Sequence, residues 1–177
     1  MKDFLKRFPV FVTLFLFSMS PVLTSCGNDD DNGDDGTSSP SVSSVEVSYS
    51  VSLSDAWYKY YDVELSYTPA PGQTTTETLE MDKEMKISYK YAESPDEISL
   101  KIVAKPKANL PEIVDDETYE LNKSISLNVA GVASNGSGNI FVWSQPVATS
   151  MVTKGSSLRK ALNKERTLYD QSYTLPK

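Results

Sequence analysis

Apolar and polar residues alternate along most of the chain from Val45 onward, which is the period of a strand with one buried face. In residues 45–53 the odd positions are valine, tyrosine or leucine, and the even positions are glutamate or serine. In residues 98–104 the even positions are apolar, and Lys101 is one of the polar residues between them. The same pattern predicts strands at residues 57–67, 85–91 and 119–129 and, less regularly, at 140–147. Segments rich in proline, glycine or serine separate these strands and predict turns, at residues 68–72, 94–96 and 134–139.

Three further segments complete the predicted elements. Residues 74–81 are rich in threonine and weakly apolar, which is typical of an edge strand. Leu158, Ala161 and Leu162 have helical spacing, so residues 156–166 are predicted to form one short helix on the sheet. Residues 172–175 add a last strand. About seven strands with turns between them predict an all-β fold, an antiparallel immunoglobulin-like β-sandwich with one short C-terminal helix.

One position departs from this alternation. Lys123 falls on the inward-facing side of the strand predicted at residues 119–129. Either a β-bulge lies there, or the inward face of the strand begins only at Ile125.

The N-terminal 25 residues have the layout of a secretory signal peptide. Lys2, Lys6 and Arg7 precede an apolar run at residues 8–19, which is shorter than the roughly 20 residues that span a bilayer. The sequence Leu-Thr-Ser-Cys that ends at Cys26 resembles a bacterial lipobox, and Cys26 is the only cysteine of the chain. This resemblance implies that cleavage leaves Cys26 as the lipidated first residue of the mature protein.

Residues 26–44 follow as an acidic linker. They are mostly glycine, asparagine, aspartate, serine, threonine and proline, and such a segment buries too little apolar surface to become ordered. A calcium-binding EF-hand loop starting at Asn28 would need a glutamate at its twelfth position, where Ser39 stands, so this loop type is excluded. The predicted organisation is a signal peptide at residues 1–25, the lipidated cysteine and disordered linker at 26–44, and a single β-sandwich domain at 45–177.

The lipobox and the acidic stretch behind it resemble the small surface lipoproteins of Bacteroidota, many of which have no assigned function. The specific part of this resemblance covers residues 18–35, and over the domain the similarity is one of pattern alone. The resemblance implies an outer-membrane, surface-exposed protein that contacts the membrane through the lipid on Cys26. It carries over no other functional residue. The pilus-subunit lipoproteins of the same bacteria are a weaker match, because they are usually longer and have two sandwich domains.

Composition excludes several kinds of chemistry. The chain has no histidine, which removes Ser-His-Asp triads and histidine zinc sites, and no free thiol remains once Cys26 carries lipid. The net charge of −7 becomes −9 without the signal peptide, which holds three basic residues and one acidic residue. A protein this acidic is repelled by phosphate backbones, so nucleic acid is not expected as a partner. We expect a monomer without cofactor or metal.

Aromatic and basic residues supply the candidate binding positions. In a strand at residues 57–61, Tyr58 and Tyr60 would share the face opposite Trp57 and Tyr61, with their rings roughly 7 Å apart. They are the candidate ligand-binding residues for a glycan or protein ligand, and the alternative is that they pack beneath a loop or the helix. Two other groups have a structural and a binding interpretation. Phe141 and Trp143 are either core residues or part of a binding surface. The basic residues of the predicted helix either form a solvated face or contact anionic lipid or glycan, and they are Arg159, Lys160, Lys164 and Arg166.

Three functions remain open from the sequence. The leading one is a non-enzymatic surface binding or adhesion module with an unknown ligand. The second is an accessory structural subunit of a pilus or outer-membrane assembly, which should expose an apolar groove or an unprotected edge strand. The third is a carboxylate-dependent hydrolase, for which Asp115, Asp116 and Glu117 are the clustered acids, although adjacent acids in a loop are usually solvated.

Overall fold

A computed structural model describes residues 41–176. The signal peptide, Cys26 and most of the predicted linker lie outside the described residues and remain predictions. Ten strands are present among the described residues: β1 (Val42–Leu53), β2 (Tyr61–Tyr67), β3 (Thr75–Leu79), β4 (Lys83–Lys90), β5 (Glu97–Pro106), β6 (Thr118–Glu120), β7 (Lys123–Ala133), β8 (Asn139–Thr149), β9 (Val152–Lys154) and β10 (Arg166–Thr174). The helices are α1 (Asp55–Tyr60), α2 (Gly155–Ala161) and a 3-10 turn at Tyr91–Glu93.

The strands form two four-stranded antiparallel sheets and a short two-stranded one. The first sheet has the order β4-β1-β7-β8 and the second has the order β10-β5-β2-β3, while β6 pairs with β9. Apolar side chains from both large sheets share one core, so the predicted antiparallel β-sandwich with a short C-terminal helix is confirmed. The predicted edge strand at residues 74–81 is also confirmed, since β3 lies at the end of its sheet.

The core follows the period-2 pattern where that pattern is strict. All four predicted inward residues of β5 are fully buried, namely Ile98, Leu100, Ile102 and Ala104. The odd positions of β1 from Val45 to Leu53 are buried as well, and they pair in register with β4 on one side and β7 on the other. Strand β1 begins at Val42, three residues before the predicted start of the domain, and an irregularity in its pairing with β7 lies between Val42 and Ser44.

The strand predicted from residue 57 onward was wrong in its first part. Residues Asp55–Tyr60 form helix α1, in which the Trp57 amide donates to the Ser54 carbonyl at 2.9 Å, and β2 begins only at Tyr61. The buried residues of α1 are Trp57 and Tyr60, which are three positions apart and share one helical face. These six residues contain only this one buried pair, which is too little for the sequence to reveal a helical period.

Other strand and helix boundaries also differ from the predicted ones. The predicted strand at 119–129 is split into β6 and β7, and Leu121 is buried between them. Lys123 is the first residue of β7, and its ammonium group donates to the Leu168 carbonyl at 2.5 Å, so the inward apolar face begins at Ile125. Helix α2 ends at Ala161, and β10 is longer than the strand predicted at 172–175. Among residues 41–176 no helix has the length and apolar character needed to cross a membrane.

Candidate functional site

Tyr58 and Tyr60 do not form the predicted ring platform, because they lie on a helix rather than on one face of a strand. Tyr60 is completely buried, its ring meets that of Tyr119 edge-on at 5.6 Å, and its hydroxyl donates to the Glu112 carbonyl at 3.4 Å. Tyr60 is therefore a core residue. Its burial follows from the three-residue spacing to Trp57, which turns both side chains toward the sandwich.

Tyr58 is half-buried and belongs to a clamp centred on Asp82. The Tyr58 hydroxyl donates to Asp82 Oδ1 at 3.0 Å, and burial together with this hydrogen bond raises the pKa of Tyr58. Asp82 also accepts from the Leu53 amide at 2.9 Å and from the Ser52 hydroxyl at 2.6 Å. These contacts tie α1 and the end of β1 to the turn between β3 and β4, so the surroundings of Tyr58 are structural.

The clustered acids of the loop before β6 are surface residues. Asp115 forms an ion pair with Arg159 at 2.9 Å, and Glu117 accepts from the Tyr119 hydroxyl at 3.3 Å. Asp115, Asp116 and Glu117 are all exposed. This arrangement anchors the loop to α2 and offers no enclosed pair of carboxylates for general acid and base catalysis.

Strand β8 has the features of a binding edge. It is the last strand of the first sheet, and among the described residues no strand is hydrogen-bonded to its free edge. None of its 11 residues is charged. Val142 and Ile140 are exposed on the outer face, at 59% and 43%. Exposed apolar strands with unpaired main-chain groups are templates for a further strand.

The other three edges of the two four-stranded sheets carry charges that β8 lacks. Strand β4 carries four charged residues, and β3 has five residues and includes Glu77. Strand β10 contains Arg166 and Asp170, and its pairing with β5 is irregular between Thr167 and Tyr169. Charges, short length and bulges are the usual means of preventing edge pairing. On β8 the devices of this kind are Pro146 and one irregularity in the pairing with β7, between Gly131 and Val132, so residues 139–145 contain no charge and no proline.

Packing on the inner side holds β8 in place. Trp143 stacks on Tyr173 of β10 with ring centroids 5.0 Å apart, and the Tyr169 hydroxyl donates to the Gln145 carbonyl at 2.6 Å. The Phe141 ring lies against Gly131 of the neighbouring strand, where a Cβ atom would overlap it. A rigid edge loses little conformational freedom when a partner binds.

A shallow depression adjoins this edge on the outer face of the first sheet. Its volume is about 500 Å³, and its lining includes Val142, the charged residues Glu46 and Lys86, and small polar residues of the other three strands, such as Ser48, Ser88 and Asn128. The Asn128 side chain donates to Ser48 at 3.3 Å and accepts from Ser144. Small side chains leave room here for the side chains of a bound segment.

Part of this site was visible in the sequence. The strand at residues 140–147 was predicted, and the absence of charge from residue 139 to residue 149 can be read directly. That β8 would be an edge depends on strand order, which the pattern of one chain does not determine. The structure thus places Phe141 and Trp143 on the β8 edge, and it shows that Tyr58 and Tyr60 do not form a ring platform.

The chain was compared with protein-family models, with curated proteins and with solved structures, and none of them matches it.

Proposed function

We propose that the protein is a non-enzymatic binding module, held at the outer membrane by the lipid on Cys26, that accepts an extended segment of a protein partner beside β8. The observation that carries this proposal is the uncharged edge at residues 139–145, which has no strand beside it among the described residues. Strand addition of this kind draws affinity from main-chain hydrogen bonds and specificity from alternate side chains. The partner segment is expected to be uncharged, because a charge placed against this edge would lose hydration without gaining an ion partner.

Both faces of the edge support contacts with such a segment. Ile140 and Val142 are exposed on the outer face, and Phe141 and Trp143 are half-buried on the inner face. Alternate side chains of an added strand would therefore meet apolar neighbours on both sides. A protein ligand is favoured over a glycan, because the ring platform suggested for sugar stacking is not formed and Tyr60 is buried.

The non-enzymatic part of the proposal rests on composition. A chain without histidine, whose single cysteine is assigned to lipid, lacks the groups that most often act as general bases or nucleophiles at neutral pH. The clustered acids do not compensate for this, since Asp115 is engaged by Arg159 on the surface.

The same edge favours a second function, that of an accessory structural subunit in a larger surface assembly. Subunits that join by strand addition need an unprotected edge, and β8 supplies one. The two functions differ in the partner: a subunit binds copies of itself or another component of a fixed assembly, whereas a binding module engages a separate ligand.

Cross-linking from β8 in intact cells tests the proposal. A photo-reactive amino acid at position 142 should give a discrete cross-linked protein on illumination, because Val142 borders the open edge. The matched control is position 152 on β9, where Val152 is 62% exposed against 59% for Val142. The readout is the mass and identity of the cross-linked species on a denaturing gel. We expect the product from position 142 and not from position 152.

A charge on the edge provides the second arm of this experiment. Val142→Lys should abolish partner cross-linking from a reactive group at position 140, while Val152→Lys should leave it unchanged, since lysine on an edge strand opposes further pairing. A product containing two copies of the chain would assign the edge to self-assembly. Equal cross-linking from positions 142 and 152, or none from 142, would reject β8 as the binding edge.

Anchoring through Cys26 has a separate test. Cys26→Ala is expected to abolish lipid attachment, because the acyl groups require the thiol and the new N-terminus of that residue. Metabolic labelling with a clickable fatty acid measures this, and Ser25→Ala is the control, since it keeps a small residue before the cleavage site. Equal label in the wild type and in Cys26→Ala would overturn the lipobox interpretation.

A further inference from the structure

A second cavity lies at one end of the sandwich, away from residues 139–145. Helix α1, the start of β7 and the start of β10 line this cavity, which is open to solvent and has a volume of about 440 Å³. Its lining includes Trp57, Lys123, Met151, Lys164, Glu165 and Arg166. These residues are far apart in sequence, and the fold brings them together.

The lining is basic in a protein that is acidic overall. Three cations, Lys123, Lys164 and Arg166, face the cavity against one acid, Glu165, whereas the whole chain has a net charge of −7. Lys123 is partly withdrawn from water, and this desolvation lowers its pKa below the ordinary value for lysine. A cation held in such surroundings gains more from a nearby anion than an exposed one does.

Buried polar atoms without partners lie at the same place. Within residues 41–176, the buried side-chain atoms without a hydrogen bond of good geometry are Trp57 Nε1, Arg166 Nε and the Tyr61 hydroxyl, and of these three residues Tyr61 does not line the cavity. Trp57 and Tyr61 are 3% and 1% exposed, and their rings pack 5.1 Å apart. Burial raises the pKa of Tyr61, and the positive charge of Arg166 together with a side-chain hydrogen-bonding contact to it opposes that rise, so Arg166 serves as a partner of this hydroxyl. Such atoms normally have a partner, so their clustering needs an explanation.

The unpartnered atoms are chiefly donors. The indole nitrogen of Trp57 and the Nε atom of Arg166 can only donate hydrogen bonds, and both residues line the cavity. A ligand that satisfies them must accept hydrogen bonds and, beside three cations, should carry negative charge. Carboxylate, sulfate and phosphate groups meet both requirements.

From this combination we infer that the cavity binds a small molecule bearing an oxyanion, with Lys164 and Arg166 as its charged contacts and Trp57 as a neutral donor. The cavity lies in the size range of small-molecule sites of roughly 300–1,000 Å³, so a bare ion would leave most of it empty. The oxyanion is therefore expected on a larger body such as a sugar. This site is independent of the proposed strand addition at β8.

Titration of the full-length lipidated protein in detergent tests the inference. The probes are glucuronate, glucose 6-phosphate and inorganic sulfate, with glucose as the uncharged control and sodium chloride at matched ionic strength. We expect a saturable change in tryptophan fluorescence, because Trp57 lines the cavity, and binding of the sugar-borne anions that exceeds that of sulfate. Glucose and chloride should give no saturable change.

Variants at two lysines make the test specific. Lys164→Gln should weaken binding of the sugar-borne anions by roughly fivefold to tenfold, as expected for one charge-assisted contact. Lys160→Gln is the matched control, because Lys160 is exposed on α2 and does not line this cavity. Both variants are on the surface and should fold as the wild type does. Trp57→Phe, which keeps a ring and removes the indole donor, should weaken binding in protein that melts as a folded domain.

Three outcomes would overturn the inference. The first is the absence of a saturable response to any of the oxyanions, and the second is an equal response to glucose. The third is equal weakening by Lys164→Gln and Lys160→Gln, which would indicate general attraction to a basic surface. Cross-linking from position 142 should be unaffected by Lys164→Gln, so failure at this cavity is distinguishable from failure of the proposed function.

Discussion

Replacement of Leu100 by aspartate is expected to unfold the sandwich. Leu100 is fully buried in β5, where it pairs with Tyr67 of β2 on one side and Gln171 of β10 on the other. A carboxylate at this position would lack a charged or hydrogen-bonding partner, which costs several kcal/mol. The stability of a domain is typically about 5–15 kcal/mol, so the loss takes up much or all of it. Loss of the β-sheet signal in far-ultraviolet circular dichroism, or a sharply lower urea midpoint, would measure it.

The neighbouring residue provides the control. The Lys101 side chain is about half exposed and forms an ion pair with Asp170 at 2.9 Å. Exposed ion pairs contribute about 0–1 kcal/mol, so Lys101→Gln should change stability by no more than that. Glutamine is preferable to aspartate here, because aspartate would place a second carboxylate opposite Asp170. If Lys101→Gln were as destabilising as Leu100→Asp, β5 would not have one buried and one solvated face.

The sequence allowed these two residues to be assigned because β5 has one uniformly apolar face. Alternation is a strong signal where a strand is long and one side is solvated, as in β1 and β5. It failed at residues 55–60, because alternation pairs Trp57 with Tyr61 on the inward face, whereas the helix buries Trp57 together with Tyr60. The error moved Tyr60 from a predicted surface into the core, and the predicted ligand site depended on that assignment.

The two sites that the structure suggests depend on contacts between residues that are far apart in the sequence. The β8 edge is unprotected only because of the order of strands in its sheet, and its lack of charge acquires meaning once that order is known. The basic cavity joins Trp57, Lys123 and Arg166 from three separate elements. Of its residues, Lys164 and Arg166 were noted beforehand as part of a basic segment, with contact to an anionic lipid or glycan as the alternative. The sequence did not predict that Trp57 and Lys123 would line the same cavity as these two residues.

Replacement of Gly155 by alanine should destabilise the domain even though alanine favours helices. Gly155 is the buried first residue of α2, and alanine within a helix is about 1 kcal/mol more favourable than glycine. Here, however, a Cβ atom would overlap the main-chain carbonyl oxygen of Val114 and lie 3.0 Å from Ile113 Cγ2. A main-chain atom cannot escape by changing rotamer, so the helix or the loop before β6 must move.

That movement would break contacts that hold α2 to the loop. The Gly155 amide donates to the Glu117 carbonyl at 2.9 Å, and Arg159 donates to the Ile113 carbonyl at 2.6 Å. Overpacking a close contact typically costs about 1–3 kcal/mol, which outweighs the gain in helix propensity and reverses its sign. The adjacent change Ser156→Ala is the control, since Ser156 is exposed and the change should be neutral or slightly stabilising. Urea unfolding of both variants and protease cleavage of the loop at residues 107–117 would measure the difference. Equal stability of Gly155→Ala and Ser156→Ala would show that α2 is not packed against this loop.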